Sequence, residues 1–232
     1  SKTNGVQFAI ASSKNGIKAT ITVEDGTKIS GNYGVYMKGQ PKPWRDTRDG
    51  QEILNVNGGE ITGTTAAIAV FGAGKGNTKA GVIVNINGGK VYSDSYAIAG
   101  NGSSVLENTT INISGGTISE CSTTLDSGKG GGLYAENSTI TISGGTIKGN
   151  KAAYGGGVAL RDSTIQEIKN WKVVGNKAYK TDRGNGGVGG GIYLDYVSMN
   201  VSAGSNRIYN NQADRHGADI FLDGSNLSLI HI

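Results

Sequence analysis

Two aspartates, Asp195 and Asp223, end successive copies of one short pattern, IYLD and IFLD. Enzymes that hydrolyse glycosidic bonds use two carboxylates a defined distance apart, so stacked copies of this pattern would suit polysaccharide cleavage. Glu136 and Arg161 occupy the same place in earlier copies, and the charges of Glu136, Arg161 and Asp195 alternate. A surface ladder of ion pairs explains these charges without any chemistry, so no catalytic residue is predicted.

Three aromatic residues precede this charged column by two positions: Tyr134, Tyr193 and Phe221. If the pattern alternates inward and outward, all three point outward and form an exposed platform. Such a platform suits sugar rings or a protein partner, because aromatic rings supply a large contact area. The alternative is that aromatic residues favour strands and simply cover the sheet.

The segment 40–51, QPKPWRDTRDGQ, is the longest interruption of the pattern and holds both prolines. Trp44, Arg45 and Arg48 lie in it, and a tryptophan in a stiffened loop loses little entropy on binding. We therefore predict Trp44, Arg45 and Arg48 as ligand-binding residues, with packing of the loop against the body as the alternative.

Metal, phosphate and thiol chemistry find little support. Asp46, Asp49 and Glu52 lack the full spacing of a calcium loop, so no metal or other cofactor is predicted. The glycine-rich stretches 127–132 and 184–191 lack the Gly-Lys-Ser/Thr ending of a phosphate loop.

Cys121 is the single cysteine of the chain. It stands in a column that otherwise favours Asn, and neither His216 nor His231 is in register to activate it. We interpret it as a small buried substitute for Asn.

The element that positions all these residues is a repeat. NGGEI at 57–61 returns as NGGKV at 87–91 and as SGGTI at 114–118 and 143–147, about every 27 to 30 residues. A repeat of this length buries its apolar face by stacking on its neighbours.

Each repeat contains three short segments in which apolar and polar residues alternate, as in a strand with one buried face. The first segment contributes inward pairs of apolar residues, which are Ile21/Val23, Leu54/Val56, Val84/Ile86, Ile111/Ile113, Ile140/Ile142, Met199/Val201 and Leu227/Leu229. The copy at 163–175 breaks step and predicts a bulge. The chain is therefore predicted to be all-β, a right-handed single-stranded parallel β-helix with three short strands per coil and about seven coils.

A column of polar residues follows the second strand of each coil: Asn32, Thr64, Asp94, Cys121, Asn150, Asn176 and Asn211. Asn tolerates a left-handed bend and can bond to its copies along the stack, so this column predicts an Asn ladder at the corner. The insertions 40–51, 73–81, 122–130 and 180–190 follow this corner or the third strand, and we expect them on one side of the coil, where binding sites concentrate.

The composition limits the structures and the partners that this chain can have. The 232 residues include 40 glycines and 2 prolines, which suits short strands joined by tight turns. The net charge of +4 is spread along the chain, and the lysines at 169–180 are interleaved with the core pattern, so no contiguous basic face and no nucleic-acid partner are predicted. No apolar run is long enough to span a membrane.

An Ile/Val-x-x-Asn corner followed by a glycine-rich turn recurs in IKGN at 147–150, VVGN at 173–176, IYNN at 208–211, GGGV at 155–158 and GGGI at 189–192. This pairing resembles the repeats of the chlamydial polymorphic outer-membrane proteins and, more widely, bacterial β-helix adhesins. The resemblance is carried mainly by residues 110–221. It implies a secreted or surface-anchored protein used for adhesion and supplies no catalytic residues.

The sequence therefore predicts one β-helix domain over residues 1–232, a monomer taken from a longer bacterial surface protein whose signal and anchor lie elsewhere. We expect a non-enzymatic, extracellular adhesin or binding domain for a host surface or secreted protein or glycan, such as a mucin, an immunoglobulin or another glycoprotein. A polysaccharide lyase or glycoside hydrolase and a passive spacer are the alternatives.

Overall fold

A computed structural model describes residues 5–8, 18–38, 51–71, 82–101, 109–199, 204–224 and 226–227. Within these residues every regular element is a β-strand, and every pair of strands within a sheet is parallel. The strands, in chain order, are β1 (Val6–Phe8), β2 (Lys18–Val23), β3 (Lys28–Lys38), β4 (Gln51–Val56), β5 (Glu60–Phe71), β6 (Val82–Ile86), β7 (Lys90–Ser93), β8 (Tyr96–Asn101), β9 (Thr109–Ile113), β10 (Thr117–Ser119), β11 (Leu133–Glu136), β12 (Ser138–Ile142), β13 (Thr146–Lys148), β14 (Lys151–Ala152), β15 (Val158–Arg161), β16 (Thr164–Ile168), β17 (Lys172–Val174), β18 (Lys177–Ala178), β19 (Ile192–Asp195), β20 (Ser198–Met199), β21 (Arg207–Tyr209), β22 (Gln212–Ala213), β23 (Ile220–Asp223) and β24 (Asn226–Leu227).

The predicted solenoid is confirmed, with about six turns. Its first sheet stacks β2, β4, β6, β9, β12, β16, β20 and β24, each strand pairing with its equivalent one coil away. Alternate residues such as Leu54, Val84 and Ile111 are 0% exposed, because each is covered by its copies above and below. This column of apolar side chains is the core that no single coil could close.

The second and third strands of the coil behave differently along the stack. In the two coils that contain β3 and β5 they form one continuous strand of 11 or 12 residues. From β7 and β8 onward the two strands separate, and a small third sheet of β14, β18 and β22 fills the corner between them. The separated strands form two arms of one sheet that meet at β5. We call the arm of β7, β10, β13, β17 and β21 the second-strand sheet, and the arm of β8, β11, β15, β19 and β23 the third-strand sheet.

The Asn ladder is confirmed at this corner in the C-terminal coils. The Nδ2 of Asn150 donates to the Oδ1 of Asn176, and the Nδ2 of Asn176 donates to the Oδ1 of Asn211, both at 3.0 Å. The left-handed backbone, however, belongs to the residue before the column member in the last four coils, at Glu120, Gly149, Gly175 and Asn210. The sequence placed the left-handed residue one position too late. The ladder Asn contributes its side chain to the stack, and the residue before it makes the bend.

The predicted bulge is also confirmed. Between β12 and β16 the register shifts, so that Ile140 pairs with Ile165 and Thr141 pairs with Glu167, which leaves Gln166 as the extra residue. Trp171, just after the bulge, is 3% exposed and belongs to the core.

Candidate functional site

The charged column lies on the third-strand sheet near the C-terminal end of the described stack. Glu136, Arg161, Asp195 and Asp223 are successive Cα partners on β11, β15, β19 and β23. Parallel strands lie about 4.8 Å apart, so these side chains stand side by side. We call these four residues the charged row.

Arg161 lies between two carboxylates of the row, as predicted. Its Nη1 is 4.0 Å from the Oε1 of Glu136, and its Nε is 3.6 Å from the Oδ2 of Asp195. Two contacts were not predicted: the Nε of Arg161 is 3.4 Å from the Oδ2 of Asp162, and the Nζ of Lys129 is 4.0 Å from the Oδ2 of Asp195. The row therefore holds its one guanidinium among three carboxylates while the side chain stays 46% exposed.

The aromatic column beside the row is interrupted. Ala159 is the Cα partner of both Tyr134 and Tyr193, so Tyr134 stands apart from the other two rings. Tyr193 and Phe221 stack with ring centroids 5.9 Å apart and planes 4° apart, and the Tyr154 ring meets Tyr193 edge-on at 5.4 Å.

The prediction that Tyr134, Tyr193 and Phe221 form an exposed platform is wrong in its central member. Tyr193 is only 5% exposed, because Val188 and Tyr154 pack over it and close a small apolar cluster. Tyr134 and Phe221 are partly buried against the same cluster. The accessible aromatic surface is therefore the rim of a packed cluster.

Two of these tyrosines donate to carboxylates of the charged row. The hydroxyl of Tyr134 donates to the Oε2 of Glu136 at 2.7 Å, and that of Tyr193 donates to the Oδ2 of Asp223 at 3.1 Å. Burial, together with these acidic neighbours, raises the pKa of both hydroxyls far above its ordinary value. Both phenols are therefore neutral donors at physiological pH, and each fixes the rotamer of a carboxylate.

Asp195 is the least solvated member of the row, with a side chain 14% exposed. Burial raises its pKa, although Lys129 and Arg161 oppose the shift. Asp223, its partner one strand away, accepts from Tyr193. The row thus offers acceptors and a donor in fixed positions, an arrangement that suits hydrogen bonds to hydroxyl groups.

A second backbone corner fixes the end of the row and was missed in the sequence. Each row residue is followed by one residue with positive φ; these residues are Asn137, Asp162, Tyr196 and Gly224. The hydroxyls of Ser138 and Ser163 then donate to the carbonyl oxygens of Glu136 and Arg161 at 2.9 and 2.7 Å. The signal was present as the parallel ENST at 136–139 and RDST at 161–164.

The loops 122–130 and 180–190 meet on one side of the coil, as expected. The Nε of Arg183 is 2.9 Å from the Oδ2 of Asp126, and the nearby Tyr179 hydroxyl donates to the carbonyl oxygen of Thr123 at 2.6 Å. The segments 40–51 and 73–81 lie outside the described residues, except that Gln51 begins β4. Trp44, Arg45 and Arg48 therefore stay predictions.

The structure also shows the environments of Cys121 and Glu52. Cys121 is buried, its Sγ donates to the carbonyl oxygen of Ser119 at 3.3 Å, and burial raises the pKa of the thiol to about 12, so the interpretation as a buried substitute is confirmed. Glu52 is 3% exposed, and its side chain lies on the core face of β4 with Leu54 and Val56, so it is not placed as a surface calcium ligand. Within the described ranges, no three His, Cys, Asp or Glu side chains cluster closely enough to hold a metal.

In the part of the chain that the structure describes, no helix is long and apolar enough to cross a bilayer. No family model, no curated protein and no solved structure matches the chain. Any function proposed for this chain therefore rests on its architecture and on the geometry of the site.

Proposed function

We propose that this chain is an extracellular binding domain, an adhesin that recognises a glycan or glycoprotein through the third-strand sheet. The observation that carries the proposal is the charged row, in which Arg161 stays half exposed while its carboxylate neighbours hold it in place. A donor that is already fixed loses little conformational entropy when a ligand arrives.

The surroundings of the row favour a hydroxyl-rich ligand. Sugar hydroxyls both donate and accept, which matches a guanidinium flanked by the carboxylates of Glu136 and Asp195. Phe221 and Tyr134, at the rim of the aromatic cluster, add partly exposed ring surface beside the row. Pockets for such ligands combine apolar surface with a few placed polar groups.

The scaffold supports the same proposal. A parallel β-solenoid is the fold that the resemblance to bacterial β-helix adhesins implies, and its loops 122–130 and 180–190 meet on one side. In this proposal the bacterial cell surface is the location, and Trp44, Arg45 and Arg48 add a second contact region.

A glycan and glycoprotein array that includes mucins and immunoglobulins tests the proposal. We expect Arg161→Gln to weaken binding of any ligand found by about tenfold, since it removes charge-assisted donors. Lys28→Gln is the matched control, because Lys28 on β3 is paired with Glu60 on β5 at 3.5 Å, away from the charged row. An array without any ligand would favour a spacer, and unchanged binding after Arg161→Gln, Trp44→Ala and Phe221→Ala would refute the site.

Polysaccharide cleavage is the second candidate, favoured by the raised pKa of Asp195 one strand from Asp223. Two carboxyl groups on neighbouring strands can divide the roles of acid and base across a glycosidic bond. Release of reducing ends or unsaturated sugars from a polysaccharide panel, abolished by Asp195→Asn, would support this function in place of passive binding.

A further inference from the structure

A basic edge runs along the C-terminal coils beside the Asn corner, with cations on both sides of that corner. It consists of Lys148, Lys151, Lys172, Lys177 and Arg207, which come from three successive coils. Lys172 and Arg207 are Cα partners on the second-strand sheet, and Lys151 and Lys177 are Cα partners on the small third sheet. Stacking thus brings together cations that are far apart in sequence, which the spacing of the lysines at 169–180 does not indicate.

Three of these cations have no acidic partner among the described residues: Lys148, Lys151 and Arg207. All three are exposed. The Nζ of Lys172 lies 5.6 Å from the centre of the Tyr209 ring, and the Nζ of Lys177 is 3.2 Å from the Oδ1 of Asp214. The edge therefore carries more positive charge than its own acidic residues neutralise.

The same column behaves differently at the other end of the stack. Lys28 and Lys90 occupy the position equivalent to Lys172 and Arg207, through the register of β3, β5, β7, β10, β13, β17 and β21. There, Lys28 is 3.5 Å from Glu60 and Lys90 is 3.3 Å from Glu120. Like charges placed directly opposite each other destabilise a sheet, so the pairing of Lys172 with Arg207 carries a stability penalty that an external anion would relieve.

We propose that the basic edge binds an acidic polysaccharide, whose sulfates or carboxylates lie along the solenoid axis. This surface is separate from the charged row, which lies on the third-strand sheet. In each of two columns the edge places two cations one coil apart, Lys172 beside Arg207 and Lys151 beside Lys177, at the strand spacing of about 4.8 Å. That spacing is close to the advance of one pyranose ring in an extended polysaccharide.

Stacking chemistry decides against single-stranded nucleic acid as the ligand, because binding of such strands uses a series of rings for base stacking. Tyr209 is the one ring next to the described cations of this edge. Duplex DNA, which carries one charge per about 1.7 Å of axis, is compared directly in the test.

The test compares two double variants that remove the same charge from the same column. Heparin serves as the sulfated probe and polygalacturonate as the carboxylated one, with affinity measured at several salt concentrations. We expect Lys172→Ser/Arg207→Ser to weaken binding by about tenfold and to flatten the salt dependence. Lys28→Ser/Lys90→Ser, which loses two cations that are already paired, should change affinity by less than about twofold.

Each outcome of the test either supports the proposal or overturns it. Binding of heparin alone would identify sulfate as the recognised group. Binding of both probes would identify the spacing of anions that the two polymers share. Equal losses in the two double variants would overturn the proposal, because net charge alone would then explain binding. Tighter binding of a DNA duplex than of either glycan would overturn it too. Arg183→Gln, which removes an exposed cation outside both surfaces, should leave heparin binding unchanged. Heparin tests the basic edge and the glycan array tests the charged row, so the two proposals can fail independently. Thermal unfolding of each variant checks the fold, and Arg207→Ser alone serves if a double variant misfolds.

Discussion

The side-chain amide of Asn150 donates to the amide oxygen of Asn176 across 3.0 Å, and both residues are 0% exposed. The same oxygen accepts the backbone N–H of Asn150, while the Nδ2 of Asn176 donates to the carbonyl oxygen of Ile147. Asn176 thus satisfies two backbone groups of the preceding coil, at a corner that no strand pairing reaches. The ladder is therefore a structural support of the solenoid.

Replacing this asparagine should be costly. Asn176→Ala removes the acceptor of the buried Asn150 N–H and one donor to the carbonyl of Ile147, so we expect a loss of about 2–4 kcal/mol in the free energy of unfolding. Denaturant unfolding measures it. Asn85→Ala is the control, because Asn85 belongs to a half-buried outward ladder with Asn55 and should cost less than about 1 kcal/mol. Equal losses would contradict the role of burial.

The left-handed residue before the ladder should tolerate Asn better than Ala. Gly175 has φ of 64°, and a Cβ there would meet nothing within 4 Å, so the cost is conformational alone. We expect Gly175→Ala to lose about 1–2 kcal/mol and Gly175→Asn to lose less. Gly157→Ala should lose more than either, because its Cβ would lie 2.7 Å from the carbonyl oxygen of Gly191 and 2.9 Å from the Cγ of Asn176. Thermal and denaturant unfolding of the three variants would measure the order of these losses.

The stability contributed by Tyr193 should disappear at high pH. Its pKa is raised in the folded protein by burial and by Asp195 and Asp223, so an unfolded chain releases the proton near pH 10 while the folded one keeps it. The contribution is therefore complete below about pH 10 and falls as the pH rises above that value. Unfolding of wild type and Tyr193→Phe in urea at pH 8 to 11 should show their difference shrinking. Ile140→Val, a core change without an ionisable group, should keep a constant difference.

Cys121 should be unreactive in the folded protein. Its thiol is buried and has a pKa near 12, so the thiolate needed for alkylation is scarce at pH 8. We expect iodoacetamide to modify the unfolded chain fully while the folded chain stays unmodified, as mass spectrometry would show. A folded-state rate within about tenfold of the unfolded rate would contradict the burial.

The periodic parts of the fold could be predicted because each coil repeats the same physical problem. Inward residues such as Leu54 and Ile111, the Asn corner and the bulge before Trp171 all follow from alternation and spacing. The prediction of the charged row as a column likewise needed only the register. A period of two fixes the face of every side chain once one of them is placed.

Predictions from the register were wrong where loops depart from the repeat and pack against the strands. Tyr193 lies in an outward column, yet Val188 from the loop 180–190 and Tyr154 before β15 cover it. Nothing in the alternation of β19 reports a loop that folds back on the sheet. Lys129 likewise reaches Asp195 from the loop 122–130, a contact that no strand pattern could indicate.

The sequence alone determined the coil, its inward columns and its ladder, because these features repeat at a period that a one-dimensional pattern records. The tertiary structure alone decided that Tyr193 is buried, that Arg161 lies among three carboxylates and that Lys172 stands beside Arg207 without an intervening acid. These relationships join residues from different coils and loops. Their distances depend on how loops close and how side chains stack along the axis, which the repeat does not encode.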